Sequence, residues 1–165
     1  MSKQPASKLF NIKNPIHFLA LGFGSGLSPK APGTMGTLAA IPLFLLCTYF
    51  SLPIFITITV FISIVGIWIC DKASTDAGVH DHGAIVWDEI AGFFITMIAI
   101  PVSIETVVVG FILFRIFDII KPWPISYIDK KVSGGFGIML DDVIAGILAL
   151  TIMHLIYNPS FVITS

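Results

Sequence analysis

Apolar residues in this chain come in long unbroken runs rather than in alternation or amphipathic stripes. Thr34–Phe50, Ile54–Cys70, Ile90–Ile100, Val107–Ile120 and Val143–Tyr157 are the five longest. Runs approaching the ~20 residues that cross a bilayer predict hydrophobic helices, placed at roughly 34–50, 54–70, 84–100, 104–120 and 140–157. Pro53 and Pro101 mark the short connections 51–53 and 101–103 as tight turns, whereas 71–83 and 121–139 are longer and polar. Ile16–Gly24 is short and Gly-rich, with no small-residue cleavage site, and does not read as a cleaved signal peptide.

Composition strengthens the membrane reading. Of 165 residues, 56% are hydrophobic and 12% charged, about half the charge of an ordinary soluble domain. The expected fold is all-α: a polytopic membrane bundle of about five hydrophobic helices, three to five of them spanning. In the three-span version, 71–138 stays on the cytoplasmic side. The whole chain reads as one domain, 1–165, with a polar, basic N-terminus over 1–15. Cys47 and Cys70 lie in apolar runs and read as small buried hydrophobes, not as a disulfide or metal pair.

The basic residues orient the bundle. Lys3, Lys8, Lys13 and Lys30 precede the first run, Lys72 lies in 71–83, and Lys121, Lys130 and Lys131 lie in 121–139. The positive-inside rule then places the N-terminus and both long connections in the cytoplasm and the C-terminus outside.

Under that topology the embedded charges gather at one depth. Asp88 and Glu89 open the third run, Arg115 and Asp118 end the fourth with Lys121 at its exit, and Asp141 and Asp142 open the fifth. Helix-dipole complementation and i,i+3 pairing account for part of this pattern. Neither requires adjacent carboxylates twice over, and acids inside a membrane are costly enough to mark a site. Crowded carboxylates call for a hard divalent cation; Mg²⁺ takes oxygen ligands and bridges to phosphates. Asp88, Glu89, Asp118, Asp141 and Asp142 are the candidate metal ligands, with Asp88, Glu89, Asp118 and Asp142 the candidate catalytic acids. Arg115 and Lys121 suit an anionic oxygen.

The segment GFGSGLSPKAPGTMGT (Gly22–Thr37) can present backbone N–H groups to an anion. It lacks the P-loop pattern, and a plain turn explains it equally well. Gly24, Ser25, Gly33, Thr34 and Thr37 are its candidate substrate-binding residues, and Asp81 is a further one. His80 and His82 flank Asp81 in spacing poor for zinc, and read as loop residues or proton carriers. His17 and His154 carry no assigned role. With a single arginine and no cysteine six residues before it, a Cys-x5-Arg phosphatase loop is impossible. Hydrolysis by water beside a metal is favoured, with an aspartyl-phosphate intermediate as the alternative.

Four stretches carry a resemblance to a known family: GFGSGLSP and APGTMGTLAAIP within Gly22–Pro42, GVHDHGAIVWDEIAG (Gly78–Gly92), FRIFDIIKPWPI (Phe114–Ile125) and GGFGIMLDDVIAG (Gly134–Gly146). Together they resemble the bacterial phosphatidylglycerophosphatase A family. The resemblance implies an integral protein of the bacterial inner membrane, which with the charge placement above gives a multi-pass protein with a cytoplasmic site. It implies a Mg²⁺-dependent phosphatase of phospholipid biosynthesis, converting phosphatidylglycerophosphate to phosphatidylglycerol. The matched positions are Asp88, Glu89, Arg115, Asp118, Lys121, Asp141 and Asp142; Lys30 falls outside the pattern. The expected partners are the phospholipid substrate and membrane lipids, with no nucleic acid and the oligomeric state open. The rivals are a small transporter or channel using the acids as an ion path, and a phosphatase for another lipid monoester such as phosphatidic acid. WDEIAG (Trp87–Gly92) and LDDVIAG (Leu140–Gly146) also resemble each other weakly.

Overall fold

The computed structural model describes residues 5–79 and 82–157. Among the described residues it is all-helical: α1 (Ala6–Leu9), α2 (Pro15–Ala20), α3 (Pro32–Cys47), α4 (Leu52–Ala77), α5 (Trp87–Thr96), α6 (Ile104–Ile120), α7 (Ile125–Lys131) and α8 (Gly134–Tyr157). A single 3₁₀ turn at Ser25–Leu27 precedes α3.

Local chemistry explains most helix ends. Ser103 and Thr106 cap α6 reciprocally: the Thr106 N–H donates to Ser103 Oγ at 3.1 Å and the Ser103 N–H to Thr106 Oγ1 at 2.9 Å. α4 stops at Gly78, whose φ of +65° suits the left-handed cap that glycine adopts without penalty. No proline or glycine interrupts Asp71–Ala77, so α4 continues through most of the stretch expected to be a polar connection. α8 likewise begins at Gly134, ahead of the expected 140, because its N-terminus is capped from another helix: the Gly135 N–H donates to Asp71 Oδ1 at 2.9 Å. The short helix α7 occupies part of the expected connection 121–139.

The expected span at 84–100 is corrected by the structure. Its helix, α5, has ten residues, about 15 Å against a hydrocarbon core of ~30 Å. All ten are buried, for α5 packs against α3, α4, α6 and α8. An apolar run facing protein on every side reads in sequence like one facing lipid. Among the described residues two helices, α4 and α8, are long and apolar enough to cross a membrane, and α3 is a shorter apolar helix.

Small residues let α8 approach its neighbours. A Cβ on Gly146 would lie 2.6 Å from the Gly92 carbonyl oxygen, and one on Gly92 would lie 2.9 Å from that of Asp142. The α5–α8 crossing is therefore built on two facing glycines. Beside it, Phe44, Phe55, Phe93 and Phe94 form an aromatic core with centroids 5.6–6.3 Å apart. His17, given no role from sequence, ties the N-terminal segment to α4: its Nδ1 accepts the Asn11 N–H at 3.0 Å and its Nε2 lies 3.2 Å from Asp76 Oδ2.

Candidate active site

Asp88 and Gly92, like Asp142 and Gly146, are four residues apart. On each helix the acid thus lies one turn N-terminal to the crossing glycine, and the close crossing brings the acids together. Asp88, Glu89 and Asp142 each offer an oxygen to a group whose atoms lie within 4.8 Å of one another. The three residues are buried, Asp142 at 2% exposure.

This cluster is the floor of a cavity of about 540 Å³. Its walls are Ala31, Pro32 and Gly33 from the start of α3, Arg115, Asp118 and Ile119 from α6, Lys121 and Asp129 beyond it, and Asp141 from α8. Six carboxylates and two cations line it. Arg115 Nη1 lies 2.5 Å from Asp118 Oδ2 and 3.8 Å from Glu89 Oε1. Lys121 Nζ lies 2.7 Å from Asp129 and 2.5 Å from Asp141. Burial alone would lower the Lys121 pKa, but its hydrogen bonds to Asp129 and Asp141 outweigh that and hold the ammonium above the usual lysine range. The charges facing Asp142 are those of Asp118, Asp88 and Asp141.

The donor set fits a hard cation. Among the described residues, Glu89 Oε2 and Asp142 Oδ2 are buried with no hydrogen-bond partner, a costly state for carboxylate oxygens. An all-oxygen group with that deficit matches Mg²⁺ or a similar ion. Asp118 and Asp141, also expected as ligands, are engaged by Arg115 and Lys121 and stand outside the tight group.

Two wall residues hold left-handed backbone without being glycine: Ala31 (φ 45°) and Lys121 (φ 45°). Such strain gathers at functional sites. At Ala31 it turns the chain into α3 so that the N-terminus of this 16-residue helix opens on the cavity, adding partial positive charge opposite the acids. Gly33 allows the approach. A Cβ there would collide with Glu89 Oε1 and lie 3.1 Å from both Arg115 terminal nitrogens.

The rest of the glycine-rich segment divides differently from expectation. Gly24, Ser25, Thr34 and Thr37 are not among the lining residues. Ser25 Oγ donates to the Gly22 carbonyl at 2.8 Å and Thr37 Oγ1 to the Gly33 carbonyl at 2.9 Å, so both hydroxyls serve the segment's own folding. Asp81 and His80 lie outside the described residues, and His82 accepts the Ala84 N–H at 3.2 Å. Asp129 was missed from sequence; it lies eight residues from Lys121 within the polar connection 121–139, where no regular element was expected to relate the two.

A family model described as Phosphatidylglycerophosphatase A matches residues 18–157. The chain is 46% identical to a Phosphatidylglycerophosphatase A of Escherichia coli (strain K12), over 93% of this chain and 90% of the relative. A protein of the same description from Haemophilus influenzae is 47% identical, over 94% and 97%. A Putative phosphatidylinositol-3-phosphatase of Bacteroides thetaiotaomicron is 36% identical, over 82% and 89%. No solved structure matches the chain.

Proposed function

Because this chain belongs to the phosphatidylglycerophosphatase A family, we propose that it hydrolyses the terminal phosphate monoester of phosphatidylglycerophosphate, releasing phosphatidylglycerol and inorganic phosphate. The observation that carries this reading is the convergence of Asp88, Glu89 and Asp142 within 4.8 Å in a cavity that also holds Arg115 and the start of α3. The protein works as a multi-pass component of the bacterial inner membrane, with α3, α4 and α8 spanning and the cavity facing the cytoplasm. The lysines Lys30, Lys72, Lys121, Lys130 and Lys131 support that orientation.

Asp88, Glu89 and Asp142 hold Mg²⁺. When bound, the ion supplies Lewis-acid polarisation of the phosphoryl oxygens and offsets the acids' mutual repulsion. Arg115, its guanidinium oriented by Asp118, binds the phosphoryl oxygens as their charge spreads, and the α3 N-terminus at Gly33 adds backbone donors. Water attacks phosphorus, the bond to the glycerol oxygen breaks, and the departing oxygen becomes the free hydroxyl of phosphatidylglycerol. The proton lost by water passes through a carboxylate of the cluster to the departing oxygen. Lys121 holds Asp141 and Asp129 in place and stays protonated throughout. Asp81 extends the substrate-binding set.

The Bacteroides relative's name favours a second reading, action on a phosphoinositide monoester, since the same site would accept any phosphomonoester at interface depth. Phosphate release in mixed micelles separates the two. Phosphatidylglycerophosphate, phosphatidylinositol 3-phosphate and phosphatidic acid are compared with Mg²⁺ and with chelator. Release from the first lipid alone, abolished by chelator and by Asp88→Asn, is expected. Equal or greater release from either other lipid, or full activity in Asp88→Asn, would overturn the proposal.

A further inference from the structure

The cavity mouth has two kinds of edge. Ala31, Gly83 and Asp129 form an exposed edge of small or charged residues. The other exposed lining residue is Ile119, a large apolar side chain at 67% exposure. It stands beside Asp118, which faces Arg115. A mouth opening on water alone has no use for such a residue.

Ile119 is also the end of a line. Ile104, Val108, Ile112 and Ile116 are all exposed on α6 and are spaced four apart, with Ile119 three further on. This spacing keeps them on one face of the helix. Thr106, Gly110 and Phe114, the buried residues of α6, are offset by two positions and lie on the opposite face. From Ile104 to Ile119 the line runs about 22 Å, longer than the ~15 Å half-thickness of a hydrocarbon core. α4 exposes apolar residues too, Phe61 and Ile64 among them, but no α4 residue lines the cavity.

We infer that this face of α6 is the docking track for the acyl chains of the lipid substrate, which enters sideways from the bilayer over Ile119. The inference rests on the proposed lipid-phosphatase reading. Lateral entry keeps the chains in apolar surroundings while the phosphate reaches the cavity without crossing them. Lys130 and Lys131, exposed and next in sequence to Asp129, draw anionic headgroups to the same rim.

The test compares dioleoyl with dihexanoyl phosphatidylglycerophosphate on the full-length protein, using Ile116→Gln/Ile119→Gln, the gentler Ile119→Asn, and Ile64→Gln as an equally exposed position on α4. The ratio of kcat/KM for the long-chain over the short-chain lipid should fall about tenfold in the double variant, through KM, and in the same direction in Ile119→Asn. Ile64→Gln should leave the ratio within about twofold of wild type. An unchanged ratio in both α6 variants, or an equal fall in Ile64→Gln, would overturn the inference. Wild-type protein inactive on both lipids would instead sink the underlying reading and this inference with it.

Discussion

Gly33 lacks a side chain because the space is already taken by Glu89 and Arg115. Gly33→Ala should push the guanidinium from its place between Glu89 and Asp118, raising KM and lowering kcat together, with kcat/KM down about 10–100-fold. Steady-state kinetics beside an unchanged unfolding midpoint would confirm a local effect; wild-type kinetics would refute it. Lys121 acts differently, as a cation held between Asp129 and Asp141. Lys121→Gln leaves those acids facing each other and should cost about 1–3 kcal/mol of stability, read as a lowered midpoint in thermal or denaturant unfolding. At this scale the acids and Arg115 were legible, because charge inside apolar sequence stands out. Asp129 was not legible, since an acid in a polar connection has no such contrast. Ser25 and Thr37 misled for a related reason: a hydroxyl near glycines reads as a ligand group, yet both bond backbone carbonyls close by.

The two long-range features that build the site at the level of elements are the α5–α8 crossing and the cap that α4 places on α8. Gly146→Leu should force the helices apart at the Gly92 carbonyl, destabilising the fold by about 1–3 kcal/mol or more and separating Asp142 from Asp88 and Glu89. The paired readout is a lowered unfolding midpoint with loss of Mn²⁺ binding by electron paramagnetic resonance; retained stability and retained binding would contradict the crossing. The kinship of WDEIAG with LDDVIAG acquires a physical meaning here, since both place an acid one turn before a contact glycine. Sequence pattern located α3, α4, α6 and α8 to within a few residues at most ends. It misjudged the start of α8, because the Asp71 cap comes from a residue 64 positions away. It also gave α5 the length of a span, because hydropathy does not distinguish a lipid face from a protein face.

For the molecule as a whole, the proposed topology makes a prediction about sidedness. In a background with Cys47 and Cys70 replaced, Lys30→Cys and Lys131→Cys should react with an impermeant thiol reagent only from the cytoplasmic side. Tyr49→Cys, at 87% exposure and just past the C-terminus of α3, should react only from outside. Labelling of position 131 from outside would remove the cytoplasmic site. The apolar outer faces of α4 and α6 are what a bilayer requires of such a molecule, while the acid-rich cavity supplies the polar function.

Sequence alone determined the helical class, the apolar runs, the charge asymmetry and the identity of most cavity carboxylates. These depend on composition and on periods of a few residues, which the chain carries locally. Tertiary structure decided which acids form the tight group, which are paired to Arg115 and Lys121, and that α5 is a buried centre. Those outcomes depend on how close two helices come, and that is set by contacts such as Gly92 against Gly146, between residues 54 positions apart. No local pattern encodes such a distance.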